Sequence, residues 1–358
     1  MRNGALVLSI VFSFAFGATA RAQAPRLSDA ETIYAELAKL PAAERARRIE
    51  DGARKEGAFS LIHGFARAEG IAHVTLFQKR YPFVKFDISN LGSPDAVERL
   101  VTEEVAGRHL TDVIVVTVPD LIDSALKPDI LARFPTSAVS AILPQYEQFK
   151  DTESRWTPWF WSEHGLSYNT NLVSPDKAPK DWFDLCDPYF KGGVSYDPAE
   201  ARFLSGLYAM LGEEKTESLL KCLGANEPII SRGHTQRMEL MLAGDHMAQA
   251  DNYLYAGLGM KRKNPQAPFA IATAAPVLSY GGATAINRQT SHPYVSALFA
   301  EWCLSEESQQ FVASILRGPV AAPHPYLRAD AQIIAFNDAP KETLGRLLGY
   351  WRKYMEKK

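Results

Sequence analysis

The chain is poor in cysteine. Only Cys186, Cys222 and Cys303 occur in 358 residues, and no pair has CxxC spacing. This excludes a zinc ribbon and a dithiol redox motif. An excess of positive charge is also lacking. An N-terminal leader, described below, takes Arg2 and Arg21 with it and leaves 37 basic against 41 acidic residues, a net charge of −4. A nucleic-acid binder concentrates basic surface, so no nucleic-acid partner is expected. Catalytic signatures are missing as well: there is no GxSxG, HExxH or P-loop pattern, and no GxGxxG after a strand. Beyond the N-terminus no segment is long and apolar enough to span a bilayer, which needs about 20 residues. No internal repeat or low-complexity tract is visible.

The N-terminus does carry a pattern. Arg2 precedes an uncharged run from Ala5 to Phe16, and Ala20-Arg21-Ala22 places small residues before a cleavage point near Gln23. This is the layout of a secretion signal, so the mature protein is expected in the periplasm. An exported chain meets oxidising conditions, which permits a Cys186–Cys222 disulfide. Cys303 lies on an apolar helical face and reads as buried and free.

Periodicity gives the rest. Two short helices meet at Pro41. "KEGAFSLIH", "YPFVKFDIS" and "TDVIVV" read as strands separated by helices. In the second helix Ser93 is placed to cap and Pro94 to begin the first turn. "TDVIVV" is apolar throughout, as in a parallel sheet covered on both faces. This β-α-β-α-β order implies an open α/β sheet. A tryptophan-rich extended run, "WTPWFWSEHGLSYN", follows. A second α/β pattern begins at "KGGVSYDP" and runs to "HMAQADNYLY", and two more strands and three helices close the chain.

"GARKEGAFSLIH", "AVERLVTEEVAGRHLTDVIVV", "GLSYNTNLV", "APKDWFDLCDPYFKGGVSYDP" and "HPYVSALFAEWCLSEESQQFVA" stand in one order. In that order they resemble the extracellular solute-binding proteins of ATP-driven importers, in the branch that includes ferric-ion-binding proteins. The similarity runs from about Asp51 to about Pro323. It implies a type II periplasmic-binding-protein fold: two α/β lobes around a ligand cleft, with two hinge crossings near Trp161–Asn169 and Thr273–Ser279. The expected organisation is a leader at 1–22, a helical extension at 23–56, lobe one at 57–160, lobe two at 161–272, a return to lobe one at 273–325 and a helical segment at 326–358. The resemblance implies a monomer that captures a small solute without chemistry and delivers it to an ABC transporter permease in the inner membrane. The alternatives are an enzyme, for which Cys186 and His164 would be the candidate nucleophile and base, and a sensory receptor on the same fold.

The ligand set is the open question. Ferric-ion binders of the family use a histidine and a glutamate from lobe one and two adjacent tyrosines after an asparagine from lobe two. Position by position, the histidine falls near Ala66, with His63 as a displaced substitute. The glutamate falls on Thr117. Asn252 and Tyr253 match, and the second tyrosine position holds Leu254. Tyr255 would point to the opposite face if its strand continued. An Fe³⁺ site from Tyr253 and His63 would need added anions to complete it, so no resident metal or cofactor is expected, with Fe³⁺ as the alternative. The preferred ligand is an organic anion. For it, Gly64-Phe65-Ala66 and Gly92-Ser93 offer loops at helix starts, and Arg232 offers a two-pronged contact. Asp197, Tyr253 and Tyr280 complete the candidate wall, each also readable as a cap or as packing.

Overall fold

The computed structural model describes residues 27–198, 201–328 and 330–356. The proposed leader lies outside them. Two helices open the described chain, α1 (Asp29–Ala38) and α2 (Ala42–Glu56). Ser28 and Glu31 form a reciprocal cap at the start of α1. The extension packs on lobe one: α2 lies along the later helix Pro293–Trp302, where Arg45 pairs with Glu301 at 2.9 Å.

Lobe one is built from β1 (Ala58–His63), α3 (Arg67–Arg80), β2 (Lys85–Asn90), α4 (Ser93–Val105) and β3 (Val113–Thr117). A single turn, α5 (Val118–Asp120), follows β3 directly. β1 pairs parallel with both β2 and β3. All five residues of β3 are buried, as its apolar run implies. Gly92, not Ser93, is the cap residue of α4, because Ser93 is already within the first turn. Its hydroxyl instead accepts from the Thr117 amide at 3.3 Å.

The long strand β4 (Thr157–Asn169) carries the chain across. Lobe two then follows as β5 (Val194–Tyr196), α6 (Ala201–Ala225), β6 (Ile229–Ile230), α7 (His234–Ala243), β7 (Ala248–Tyr253), α8 (Leu254–Lys263) and β8 (Phe269–Ile271). A Cys186–Cys222 disulfide ties the loop before β5 to α6, and Cys303 is free and buried. β9 (Val277–Ile286) returns to lobe one, antiparallel to both β4 and β3. It leads to α9 (Pro293–Trp302), α10 (Glu306–Ser314) and β10 (Gly318–Pro319). The chain then passes to lobe two once more. β11 (Ile333–Ala335) pairs with the start of β9, and α11 (Lys341–Tyr354) packs on α6. Leu347 and Trp351 of α11 are fully buried in the lobe-two core.

The resulting sheet runs β2-β1-β3-β9-β4-β7-β5-β6, with β4 and β9 at its centre. At their crossing the two strands nearly touch. A Cβ on Gly282 would lie 1.9 Å from the Phe160 ring, so only glycine fits there. The tryptophan cluster belongs to this packing. Trp159 and Trp161 are buried, with indole nitrogens donating to Ser308 Oγ and to the Pro319 carbonyl. Among the described residues no helix is long and apolar enough to cross a membrane.

Candidate functional site

The cleft lies where the C-terminal ends of β1, β3 and β7 approach the β4–β9 crossing. The direction of Tyr255 follows from the backbone. β7 ends at Tyr253, and α8 begins at the next residue. The strand alternation that would send Tyr255 away is therefore interrupted, and the Tyr253 and Tyr255 rings come within 5.5 Å. Leu254, between them, is fully buried instead.

Around Tyr253 the contacts are aromatic and polar. Tyr280 of β9 donates its hydroxyl to that of Tyr253 at 3.2 Å. His164 of β4 packs edge-on against Tyr253 at 4.2 Å, and His234 approaches the same ring at 4.8 Å. Among the described residues neither ring nitrogen of His164 has a hydrogen-bond partner, although the side chain is fully buried. Burial first, then the charges of His234, Arg202 and Arg237, hold its pKa well below the ordinary histidine range. It is a neutral imidazole.

Two arginines flank this wall. Arg202 of α6 lies over the Tyr280 ring at 4.9 Å and pairs with Asp120 at 2.6 Å. Burial works against its charge. Tyr280, Asp120 and neighbouring groups outweigh that and raise its pKa. Arg317 follows α10, just after Leu316, which holds a left-handed φ of 63°. Its guanidinium is held between the Phe65 ring of lobe one and the Tyr255 ring of lobe two, 4.2 Å from each. Its polar contacts are long: Glu69 at 3.5 Å and Ser162 at 3.5 Å, with Nε unpartnered among the described residues. Burial works against the Arg317 charge, but Tyr255, Glu69 and Tyr280 outweigh it and raise the pKa, so Arg317 is a buried cation whose carboxylate contact to Glu69 is long.

The sequence-predicted residues separate into two groups. Gly64, Phe65, Ser93, Thr117, Tyr253 and Tyr280 lie along one chain of contacts that Arg317 and the Arg202–Asp120 pair carry between the lobes. A Cβ on Gly64 would meet Ser93 Oγ and the Val115 carbonyl at 2.8 Å, so this loop needs glycine to close on its neighbours. Thr117 donates its hydroxyl to Asp120. Ala66 is exposed at the start of α3. His63 departs from expectation. It is fully buried inside lobe one, where Nδ1 accepts from the Phe65 amide and Nε2 meets His73 Nδ1, each at 3.2 Å. His73 continues the relay to Ser308 Oγ at 3.3 Å. Both His63 nitrogens are occupied, so it does not serve as the substitute ligand.

Asn252 departs too, because alternation along β7 turns it inward. It is fully buried, with Nδ2 3.9 Å from Met238 Sδ. Asp197 accepts from the Gly233 amide at 2.9 Å and lies 3.9 Å from Arg237. It therefore links the end of β5 to the start of α7. Arg232 is exposed. The enclosed arginine of that region is Arg237, which binds Asp251 at 2.6 Å and is fully buried. Burial raises the Asp251 pKa despite that partner. Sequence reasoning missed Asp120, Arg202, His234 and Arg317 as site residues, and weighed His164 only as a catalytic base.

The comparisons with known proteins agree with this geometry. Residues 109–330 match the family model described as bacterial extracellular solute-binding protein, and the chain belongs to that family. It is an extracellular solute-binding protein by family, and that family is one of binding proteins rather than enzymes. No curated protein matches it.

Three solved structures show the fold. Iron-bound HitA from Pseudomonas aeruginosa is 20% identical, with a TM-score of 0.66, and the match covers 83% of this chain and 99% of that one. The substrate-binding protein of an ABC transporter from Agrobacterium tumefaciens is 13% identical, with a TM-score of 0.67 and coverage of 83% and 94%. The periplasmic binding protein AfuA from Actinobacillus pleuropneumoniae, with fructose-6-phosphate bound, is 15% identical, with a TM-score of 0.60 and coverage of 84% and 99%.

Proposed function

We propose that this protein works in the periplasm as a monomer, captures a small organic anion between its lobes, and hands it to an inner-membrane permease. The observation that carries the anion is Arg317. A guanidinium taken from water needs close anionic partners, and here the nearest carboxylate is 3.5 Å away with Nε unpartnered among the described residues. A solute carboxylate or phosphate placed on Arg317 supplies that partner. The phenols of Tyr253, Tyr255 and Tyr280 then add hydrogen-bond donors and ring surface. Selectivity follows from leaving such groups unsatisfied by any other solute. AfuA, with its bound sugar phosphate, is a relative in fold whose ligand fits this reading.

A second reading rests on the pairing of Tyr253 with Tyr255, which offers two phenolic oxygens from one side of lobe two. Fe³⁺ as cargo would use them, and an iron-bound protein is among the structures similar in fold. The matching lobe-one ligands are not in place: Thr117 stands at the carboxylate position and His63 is turned inward. Iron held here would need accompanying anions, and those again would meet Arg317.

The experiment is a thermal-shift and calorimetric screen of the mature protein. It covers citrate, phosphate, sugar phosphates, phosphonates and uncharged analogues, and Fe³⁺ with and without citrate. An anion at a hundred times its Kd should stabilise the fold by about 2.7 kcal/mol. Arg317→Gln should abolish that gain. Stabilisation by an uncharged solute alone, or a coloured iron complex that needs Tyr253 but no anion, would overturn the anion reading.

A further inference from the structure

We propose that Asp120 is a built-in competitor for the solute at Arg202: it supplies a counter-anion to that arginine from the opposite lobe when the cleft shuts empty. The inference rests on the anion reading only for what displaces Asp120, and not for the contact itself.

Asp120 and Arg202 lie 82 residues apart, on opposite lobes. Asp120 ends the single turn after β3, on lobe one, and Arg202 stands in the first turn of α6, on lobe two. Their oxygen and nitrogen meet at 2.6 Å, with 12% and 19% of the side chains exposed. Asp120 is not a loose surface acid that happens to touch a base. Its second oxygen accepts the Thr117 hydroxyl, and Thr117 is itself fixed by the Ser93 contact to its amide. Arg202 is likewise seated, across the face of Tyr280. The carboxylate is therefore held at the place on lobe one that faces the lobe-two cation.

Two consequences follow from simple electrostatics. A half-buried, charge-assisted contact between lobes favours the shut form over the open one without any ligand. A solute anion directed at Arg202 must displace Asp120 and then face its charge, which selects against doubly anionic solutes at that end of the cleft. Among the described residues Arg317 meets its carboxylate, Glu69, at the longer distance of 3.5 Å. The two arginines are thus unequal: Arg317 is loosely paired, and Arg202 is closely paired with Asp120.

The test needs no solute. The mature protein, stripped of bound solute by unfolding and refolding, is measured by small-angle scattering as wild type, Asp120→Asn, Asp120→Ala and the charge swap Asp120→Arg/Arg202→Asp. Circular dichroism confirms that each is folded. The expected result is a compact wild type with the radius of gyration of the shut form, a larger radius for both single variants, and a return to the compact value in the swap. A wild type as extended as Asp120→Asn would overturn the proposal. So would single variants as compact as the wild type. Either result leaves the anion reading standing, because Arg317→Gln is judged on solute binding alone.

Discussion

At the scale of single residues, the site is read from what each polar atom lacks. Tyr253 offers a hydroxyl that accepts from that of Tyr280, and a ring in contact with two histidines. Its replacement by alanine should weaken solute binding by about 1–3 kcal/mol, and titration calorimetry with the solute found in the screen checks this. The buried histidines give a second expectation. Burial, followed by the nearby charge of Arg317, pushes the His63 pKa down to about 3. Burial also lowers those of His73 and His164. In the unfolded chain these rings take up protons near pH 6.5. The folded state refuses them, so stability is steady above pH 6.5 and falls as the pH drops toward 3. For His63 alone the loss between pH 7.5 and pH 5 is about 2 kcal/mol. Urea unfolding at the two pH values measures it, and His63→Gln should flatten the slope.

Residue by residue, legibility in the sequence followed local pattern. Tyr253 was found because the motif around it is contiguous. His63 and Asn252 are buried in their lobes, which strand alternation does not report because β1 and β7 both carry runs of successive buried residues. Arg317, Arg202 and Asp120 carry no local signal. Their meeting depends on the return of the chain to lobe one and on the approach of the lobes, neither of which any window of sequence reports.

At the scale of elements, the helices and strands of both lobes were plain from periodicity, while the contacts that lock them were not. The Cys186–Cys222 bridge spans 36 residues. Closing a loop of that size stabilises by about 3–4 kcal/mol in the chain-entropy account. The Cys186→Ser/Cys222→Ser variant should lose about 2–4 kcal/mol in urea unfolding, with lobe two the part that opens. The contact of α6 with α11 is equally specific. A Cβ on Gly224 would lie 2.1 Å from the Tyr354 carbonyl oxygen, so Gly224→Ala must push the helices apart. A loss of about 1–3 kcal/mol is expected, read from the same unfolding curves. From sequence, α11 showed only as the last of the three closing helices. Its destination on lobe two is a fact of tertiary packing, because Trp351 fills a gap left by α6 and β5 residues distant in the chain.

At the scale of the molecule, the type II arrangement was legible because the order of segments, rather than any one of them, carries it. The further passage of the chain was not, since residues 320–332 lack periodicity. That passage matters for motion. It leaves β10 against β4, and on the way to β11 it places His324 on Glu163, a fully buried carboxylate at the middle of β4, at 2.6 Å. Two bare strands would let the jaws swing until some distant surface stopped them. Here a strap runs beside the axle and is pinned to it. Any wide swing that drew His324 off Glu163 would strand a buried carboxylate, at a cost of several kcal/mol. An opening that separated the strap from β4 would therefore be opposed from behind the strands rather than at the lips of the cleft.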